Sequence, residues 1–313
     1  MPSRILKSAL SVSSVALAVW AFSAASTFAL RASADKSAAQ VRTAFPDKRG
    51  LALSEFPRTI KLADNVYGYE EIRNPGFTTV SLFVVGADGV LVADGQGSPA
   101  ATQKLLDAIA KVTTKPVKWY IVGSDHGDHT AGNSVLPKDI TYIVSKASKA
   151  QLKLAAPAMT GDRQTIDVGG IEVQAIYAGR AHTGGDLLVY LPKQKILFMS
   201  EVYLNRVFPA MRSAYPTEWV GVIDRALEMN VDRFIPGHGF IEESKASREE
   251  LVEYQKALRV VIAEVTRLHK LGLSAEDAVK QANWGSLKDW FLADQQGPIA
   301  VRKVYEEIEG KLK

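Results

Sequence analysis

Ser124-Asp125-His126-Gly127-Asp128-His129-Thr130-Ala131-Gly132-Asn133 follows an apolar run, Trp119-Tyr120-Ile121-Val122, that reads as a buried strand. Two imidazoles and a carboxylate therefore stand close together on a loop leaving a strand, which can turn all three inward at once. Imidazole nitrogen and carboxylate oxygen are the usual ligands of a divalent cation such as zinc. His126, Asp128 and His129 are candidate metal ligands on these grounds.

The other histidines extend the pattern. The chain has five. His182 lies in Ala181-His182-Thr183-Gly184-Gly185-Asp186, and His238 in Ile235-Pro236-Gly237-His238-Gly239, where glycine neighbours suit tight loops better than packed elements. Between them Ile196-Leu197-Phe198-Met199-Ser200-Glu201 is an apolar run ending in an acid, and Val90-Leu91-Val92-Ala93-Asp94 is another. His269, on the edge of a helical face, reads as an ordinary surface histidine.

This ordered set, from about residue 58 to 240, resembles the metallo-β-lactamase-fold hydrolases, whose H-x-H-x-D-H motif is matched with one departure: Ser124 stands where the first histidine is expected. The resemblance implies an α/β fold, a four-layer αβ/βα sandwich with the metal loops gathered at one edge. It implies that His126 and His182 belong to one metal site, and Asp128, His129 and His238 to a second. Glu201 falls where the family has a metal-bridging aspartate, and its extra methylene leaves open whether it ligates or only hydrogen-bonds. Asp94 takes a supporting role. Serine is a poor zinc ligand beside imidazole, so the first site should bind more weakly, with Ser124 beside it and Glu201 as its candidate third ligand. The cofactor implied is one or two zinc ions per chain, with non-haem iron as a less favoured alternative. On ligand chemistry alone, Ser124→His should rebuild three-nitrogen coordination.

Composition narrows the setting. The chain has 313 residues, 47% hydrophobic and 23% charged, ordinary for a globular protein with a large core. Without cysteine, any metal must rest on nitrogen and oxygen. Arg4 and Lys7 precede an uncharged run from Ser8 to Leu30, and Ala32-Ser33-Ala34 matches an A-x-A cleavage site. Residues 1–34 thus read as a secretory signal peptide and the mature protein as periplasmic or secreted. A membrane anchor through residues 8–30 is the alternative. Loss of residues 1–34 removes Arg4, Lys7 and Arg31 and no acid, taking the formal charge from +4 to +1 and leaving no nucleic-acid footprint.

Residues 35–57 show no clear periodicity and read as a linker or arm. Residues 58–245 alternate strand and helix patterns and form the expected catalytic domain. Within it Ala87-Asp88-Gly89 marks a hairpin turn, and Ser98-Pro99 starts a helix with Leu105, Leu106 and Ile109 on one face. Residues 246–313 read as a C-terminal helical extension whose apolar faces pack back on the core. There Ser247 with Glu250 suggests a capping box, Ser274 with Asp277 a second helix start, and Pro298 a third.

Function follows from the metal. A bound divalent ion generates hydroxide near neutral pH and polarises a carbonyl, which predicts hydrolysis of an ester, lactone, amide or β-lactam. Asp128 would orient the attacking water and carry a proton to the leaving group. Tyr203, Phe208, Met211, Tyr215 and Trp219 either line the pocket for an apolar or aromatic small-molecule substrate or simply pack the core. The competing function is a non-catalytic metal- or ligand-binding protein on a degenerate scaffold of this type. No feature of the sequence sets an oligomeric state.

Overall fold

The computed structural model describes residues 41–73 and 75–312. The expected signal peptide and its alternative as an anchor lie outside the described residues. Among those described, no helix is long and apolar enough to cross a membrane.

Two sheets carry the fold. The first has six strands in sequence order: β1 (Arg58–Ala63), β2 (Val66–Arg73), β3 (Phe77–Val85), β4 (Val90–Ala93), β5 (Val117–Ile121) and β6 (Thr141–Ile143). The first four pair antiparallel, while β4, β5 and β6 are parallel, joined through helix α1 (Pro99–Val112) and the site loop, which holds the one-turn helix α2 (Gly127–Thr130); α3 (Lys146–Leu152) follows β6. The second sheet runs β11 (Arg233–Ile235), β10 (Ile196–Phe198), β9 (Leu188–Leu191), β8 (Glu172–Ile176) and β7 (Arg163–Asp167).

Period-two alternation builds the layers. On β3 and β4, Leu82, Val84, Leu91 and Ala93 face the second sheet, where they meet Val173, Val189, Ile196, Phe198 and Ile235. Their neighbours Phe83, Val85, Val90 and Val92 face outward and are covered by Leu105 and Ile109 of α1. The outer face of the second sheet, with Leu197 and Phe234, is covered by α4 (Pro216–Glu228), α5 (Ser244–Lys270), α6 (Ala275–Gln281) and α7 (Ala293–Ile308). The result is the expected helix–sheet–sheet–helix sandwich. The C-terminal helices share a single apolar core with the second sheet.

Local signals hold in part. Ser98 caps α1, its hydroxyl accepting from Ala101 N–H at 3.2 Å, and Ser274 caps α6 by accepting from Asp277 N–H at 3.1 Å. The Ser247–Glu250 capping box is not formed. Helix α5 begins at Ser244, so Ser247 lies inside it, its hydroxyl donating to the Ser244 carbonyl and accepting from Phe234 N–H. Buried Glu250 instead pairs with Arg206 and Arg42. Pro298 sits inside α7, which starts at Ala293 after Leu292 in a left-handed conformation (φ 65°). Residues 41–57 are tied to the core: Arg49 pairs with Glu242, Ala44 is buried, and Phe45 packs on Phe291 at 4.6 Å between ring centroids.

Candidate metal centre

Every site residue read from the sequence follows the C-terminal end of a strand. Asp94 comes after β4, Ser124 to His129 after β5, His182 after β8, Glu201 after β10 and His238 after β11. The two sheets open toward one edge there, leaving their loops free to converge. The Gly237 approach makes the last junction possible: a Cβ at that position would lie 2.4 Å from the backbone carbon of Ser200, so only glycine lets the His238 loop reach the Glu201 loop. Asp94 and Ser200 both adopt left-handed backbone (φ 60° and 49°), unfavourable for non-glycine residues and held here by the hydrogen bond between their side chains.

Two groups of ligand atoms result, each with its members within 4.8 Å of one another: Asp128, His129, Glu201 and His238 in one, His126, His182 and Glu201 in the other. Glu201 belongs to both. Its Oε1 lies 3.2 Å from His238 Nε2 and 4.0 Å from His129 Nε2, and its Oε2 lies 2.9 Å from His126 Nδ1 and 3.3 Å from His182 Nε2. The methylene that sets glutamate apart from aspartate thus spreads one carboxylate across the two groups. Ser124 is fully buried, and its hydroxyl donates to Glu201 Oε2 at 2.6 Å. It therefore aligns the carboxylate where a histidine would have ligated.

The donor set fits a divalent cation. His129 Nε2 and His238 Nε2 face each other at 3.3 Å, as do His182 Nε2 and His126 Nδ1 at 3.0 Å. One proton can serve each nitrogen pair, so lone pairs converge on a common point beside carboxylate oxygens, as ligands around an ion do. The outward nitrogens differ between groups. His129 Nδ1 lies 3.1 Å from Asp94 Oδ2, and His238 Nδ1 lies 2.7 Å from the Thr78 carbonyl oxygen. Asp94 is itself fixed by the Gly123 and Ser124 backbone N–H groups and by the Ser200 hydroxyl. His182 Nδ1 is buried with no partner among the described residues, its ring held edge-on by Trp219 at 5.1 Å. His126 is the most exposed of the four, its Nε2 3.2 Å from Ser213 Oγ.

No protein-family model matches the chain. Over 170 residues, half of this chain and 52% of the relative, it is 27% identical to the 2,4-dinitroanisole O-demethylase subunit alpha of Nocardioides sp. (strain JS1661). Over 161 residues it is 26% identical to the metallo-β-lactamase type 2 of Bacillus cereus, covering 48% of this chain and 63% of that one. Among solved structures, a metallo-β-lactamase from Pontibacter korlensis superposes with a TM-score of 0.58 at 20% identity, covering 64% of this chain and 99% of the other. The chain is a metallo-β-lactamase-fold protein. A sec-alkylsulfatase from Pseudomonas sp. superposes with a TM-score of 0.67 at 14% identity, over 80% of this chain and 50% of that one. The matched segment spans about half the length of the demethylase subunit and of the alkylsulfatase.

In this metallo-β-lactamase-fold chain the electrostatics at the site favour a cation. Burial alone would depress the His126 and His238 pKa values. Hydrogen bonds and charge, from Glu201 and then Asp128 at His126 and from Asp128 and then Glu201 at His238, outweigh it and raise each to about 9. Burial likewise opposes ionisation of Glu201, but His182 and His126 hold its carboxyl well below the usual range. Asp128, against burial and the Glu201 charge, is held low by His238 and His129. Asp186 goes the other way: burial lifts it to about 6 against the His182 charge and the Thr183 hydrogen bonds that shape the His182 loop.

One cavity of about 210 Å³ opens onto both groups, lined by His126, Asp128, His182, Glu201 and His238. The aromatic residues considered for a pocket do not line it. Tyr203, Phe208, Met211 and Trp219 are fully buried in the core beneath α4 and α5, because the loop after Glu201 folds inward under the helical layer. Tyr215 stacks under the Arg180 guanidinium at 4.0 Å, outside the cavity. The apolar lining instead comes from Phe77, Leu204, Val207 and Leu292. Sequence reading also missed Arg73, which ends β2 and pairs with Asp128, and Arg212, Gln295 and Gln296 on the cavity wall. None lies in a motif. Tertiary packing alone brings them there.

Proposed function

We propose that this chain is an exported metal-dependent hydrolase that opens an ester, lactone, amide or β-lactam bond of a small molecule. The observation that carries the reading is that two ligand groups sharing Glu201 face a single cavity. His126, His182 and Glu201 would hold one ion, and Asp128, His129, His238 and Glu201 another, zinc being the ion that suits nitrogen and carboxylate donors. When bound, such an ion acidifies water and polarises the bond under attack.

The protein residues supply the rest. Asp128 presents a carboxylate at the cavity, its Oδ2 shared between Arg73 and His238 Nε2 at 3.0 Å. That leaves Oδ1 to accept a proton from the attacking water and pass it to the leaving oxygen or nitrogen. Water oxygen bonds to the acyl carbon, the bond to the leaving group breaks, and the proton ends on that group, so acid and alcohol (or amine) are the products. Arg73 holds Asp128 in place and balances its charge, while Phe77, Leu204 and Val207 exclude bulk water from one side.

The names of the relatives support a hydrolytic metallo-enzyme without choosing its substrate, since one fold serves many reactions. The test is elemental analysis of the purified chain, with turnover of a chromogenic panel: ester, lactone, cephalosporin, secondary alkyl sulfate and aryl methyl ether. Bound zinc, with chelator-sensitive hydrolysis restored by zinc, is the expected result. A chain that takes up zinc yet turns over nothing in the panel would favour the binding-protein reading. Export is tested by intact mass of the native protein, expected to begin after Ala34.

A further inference from the structure

We infer that Phe45, on the arm that precedes β1, is a positioning residue for the metal group of Asp128, His129 and His238, acting through Phe291 and Phe77. The inference rests on the metal-dependent reading and adds the arm, residues 41–57, to the parts of the chain that set up the site.

A column of rings runs from the arm to the ligands. Lys48 Nζ stands 4.0 Å over the Phe45 ring. Phe45 packs on Phe291 at 4.6 Å between ring centroids, and Phe291 packs on Phe77 at 5.1 Å. Phe77 in turn meets the His238 imidazole edge-on at 5.0 Å. Phe77 and Phe291 are 4% and 8% exposed, so each ring is confined by its neighbours in the column.

Phe77 bears on both partners of Asp128. His238 Nε2 lies 3.0 Å from Asp128 Oδ2. Arg73 pairs with that same oxygen, and its guanidinium lies 5.3 Å from the centre of the Phe77 ring. The next residue along β3, Thr78, supplies the carbonyl that meets His238 Nδ1 at 2.7 Å. Displacing Phe77 therefore disturbs the imidazole through its ring contact and through the adjoining carbonyl. A ligand ring held in one orientation binds an ion more tightly than one that must be ordered on binding.

The outer end of the column is pinned independently of its rings. Arg42 pairs with Glu249 and Glu250 of α5, and Arg49 pairs with Glu242. The backbone of Phe291 is tied to the loop after Glu201. Its N–H donates to the Arg206 carbonyl at 3.2 Å, and its carbonyl accepts from Phe208 N–H at 2.9 Å. What Phe45 adds is a ring against the Phe291 side chain. Removing that ring leaves both arm anchors and the backbone ties in place and loosens the column.

The test uses the full chain carrying His182→Ala, in which the other group lacks a ligand, and reads zinc affinity by competition with a chromogenic chelator. Adding Phe45→Ala should weaken zinc binding roughly three- to tenfold, the range that one aromatic pair is worth. Phe45→Tyr, which keeps the ring, should bind zinc as the parent does. With Phe77→Ala already present, Phe45→Ala should change the affinity no further. Equal affinity in the parent and in Phe45→Ala overturns the inference. So does a full loss in the Phe77→Ala background, since the effect then bypasses Phe77. If the alanine variant does not fold, Phe45→Leu takes its place, and equal affinity there overturns the inference. A wild-type chain that takes up no zinc sinks the metal-dependent reading, and histidine NMR signals of the metal-free chain then decide the inference separately. A change in Phe45→Ala centred on His238 supports it, while unchanged His238 signals or an equal change at His182 overturn it.

Discussion

The two ligand groups share one carboxylate but are built to different standards. In the group of Asp128, His129 and His238, the far nitrogen of His238 is held by the Thr78 carbonyl, that of His129 lies beside the Asp94 carboxylate at 3.1 Å, and both rings are buried. In the group of His126 and His182, the far nitrogen of His182 has no partner among the described residues, and His126 is partly exposed against Ser213. Fixing the outer nitrogen sets ring orientation and tautomer and raises ligand basicity. The first group is pre-organised for an ion. The second relies on Glu201, itself steered by Ser124. Loss of the first motif histidine thus changes the job of the position from holding metal to aligning the residue that does.

The most damaging substitution should be the one both groups share. Glu201→Gln removes the charge that faces all four histidines, and metal analysis after dialysis should find the ion of the His126–His182 group lost and the other held more weakly. Activity should fall by at least about a thousandfold, the several kcal/mol that a bound ion contributes to a hydrolytic transition state. Retention of one tightly bound ion would show that the groups are independent.

Next, the asymmetry itself can be broken. His238→Ala should lose the tightly held ion and lower activity by roughly two decades, whereas His182→Ala should keep one firmly bound ion and lose less, because it takes a ligand from the looser group. If His182→Ala comes out metal-free while His238→Ala keeps its metal, the ranking is reversed.

Asp94→Asn probes the support rather than the ligand. It replaces a carboxylate 3.1 Å from His129 Nδ1, and competition with a chromogenic chelator should show metal affinity about 10–100-fold weaker at that group, with the other group little changed. An affinity unchanged at both groups would mean that the Asp94 contact does not orient His129.

The smallest effect is expected at Ser124. From the motif alone, Ser124→His should rebuild a three-nitrogen site. In the structure the Ser124 hydroxyl already lies 2.6 Å from Glu201 Oε2, so an imidazole would have to displace that carboxylate. Ser124→His alone should therefore leave zinc stoichiometry nearly unchanged, while the pair Ser124→His, Glu201→Asp, which also shortens the acid, should tighten the second ion. A single variant that gains a firm second ion on its own would show that Glu201 can yield the space.

Much of the site was legible because its ligands are local. His126, Asp128 and His129 share one loop, and His182 and His238 sit among glycines that mark tight loops. The strand pattern of β3 and β4 was readable because alternation reports which side of a sheet is apolar. The aromatic residues after Glu201 were ambiguous for the same reason. Tyr203, Phe208, Met211 and Trp219 are apolar whether they line a pocket or fill a core, and sequence reports hydrophobicity without saying what it faces. Helix starts were misread at Ser247 and Pro298, which lie inside helices that begin earlier, at Ser244 and Ala293.

By itself the sequence determined a mixture of α and β elements and the kinds of ligand, since periodicity and motif spacing are properties of consecutive residues, while the layered sandwich is an expectation carried by the family resemblance. Only the tertiary structure decided that Glu201 joins both groups, that Ser124 serves it, and that Arg73, Arg212 and the start of α7 complete the cavity. Those relations link residues from β2 to α7 across the open edge of two sheets, where distance is set by how strand ends and the helical layer pack, and chain order carries no record of it.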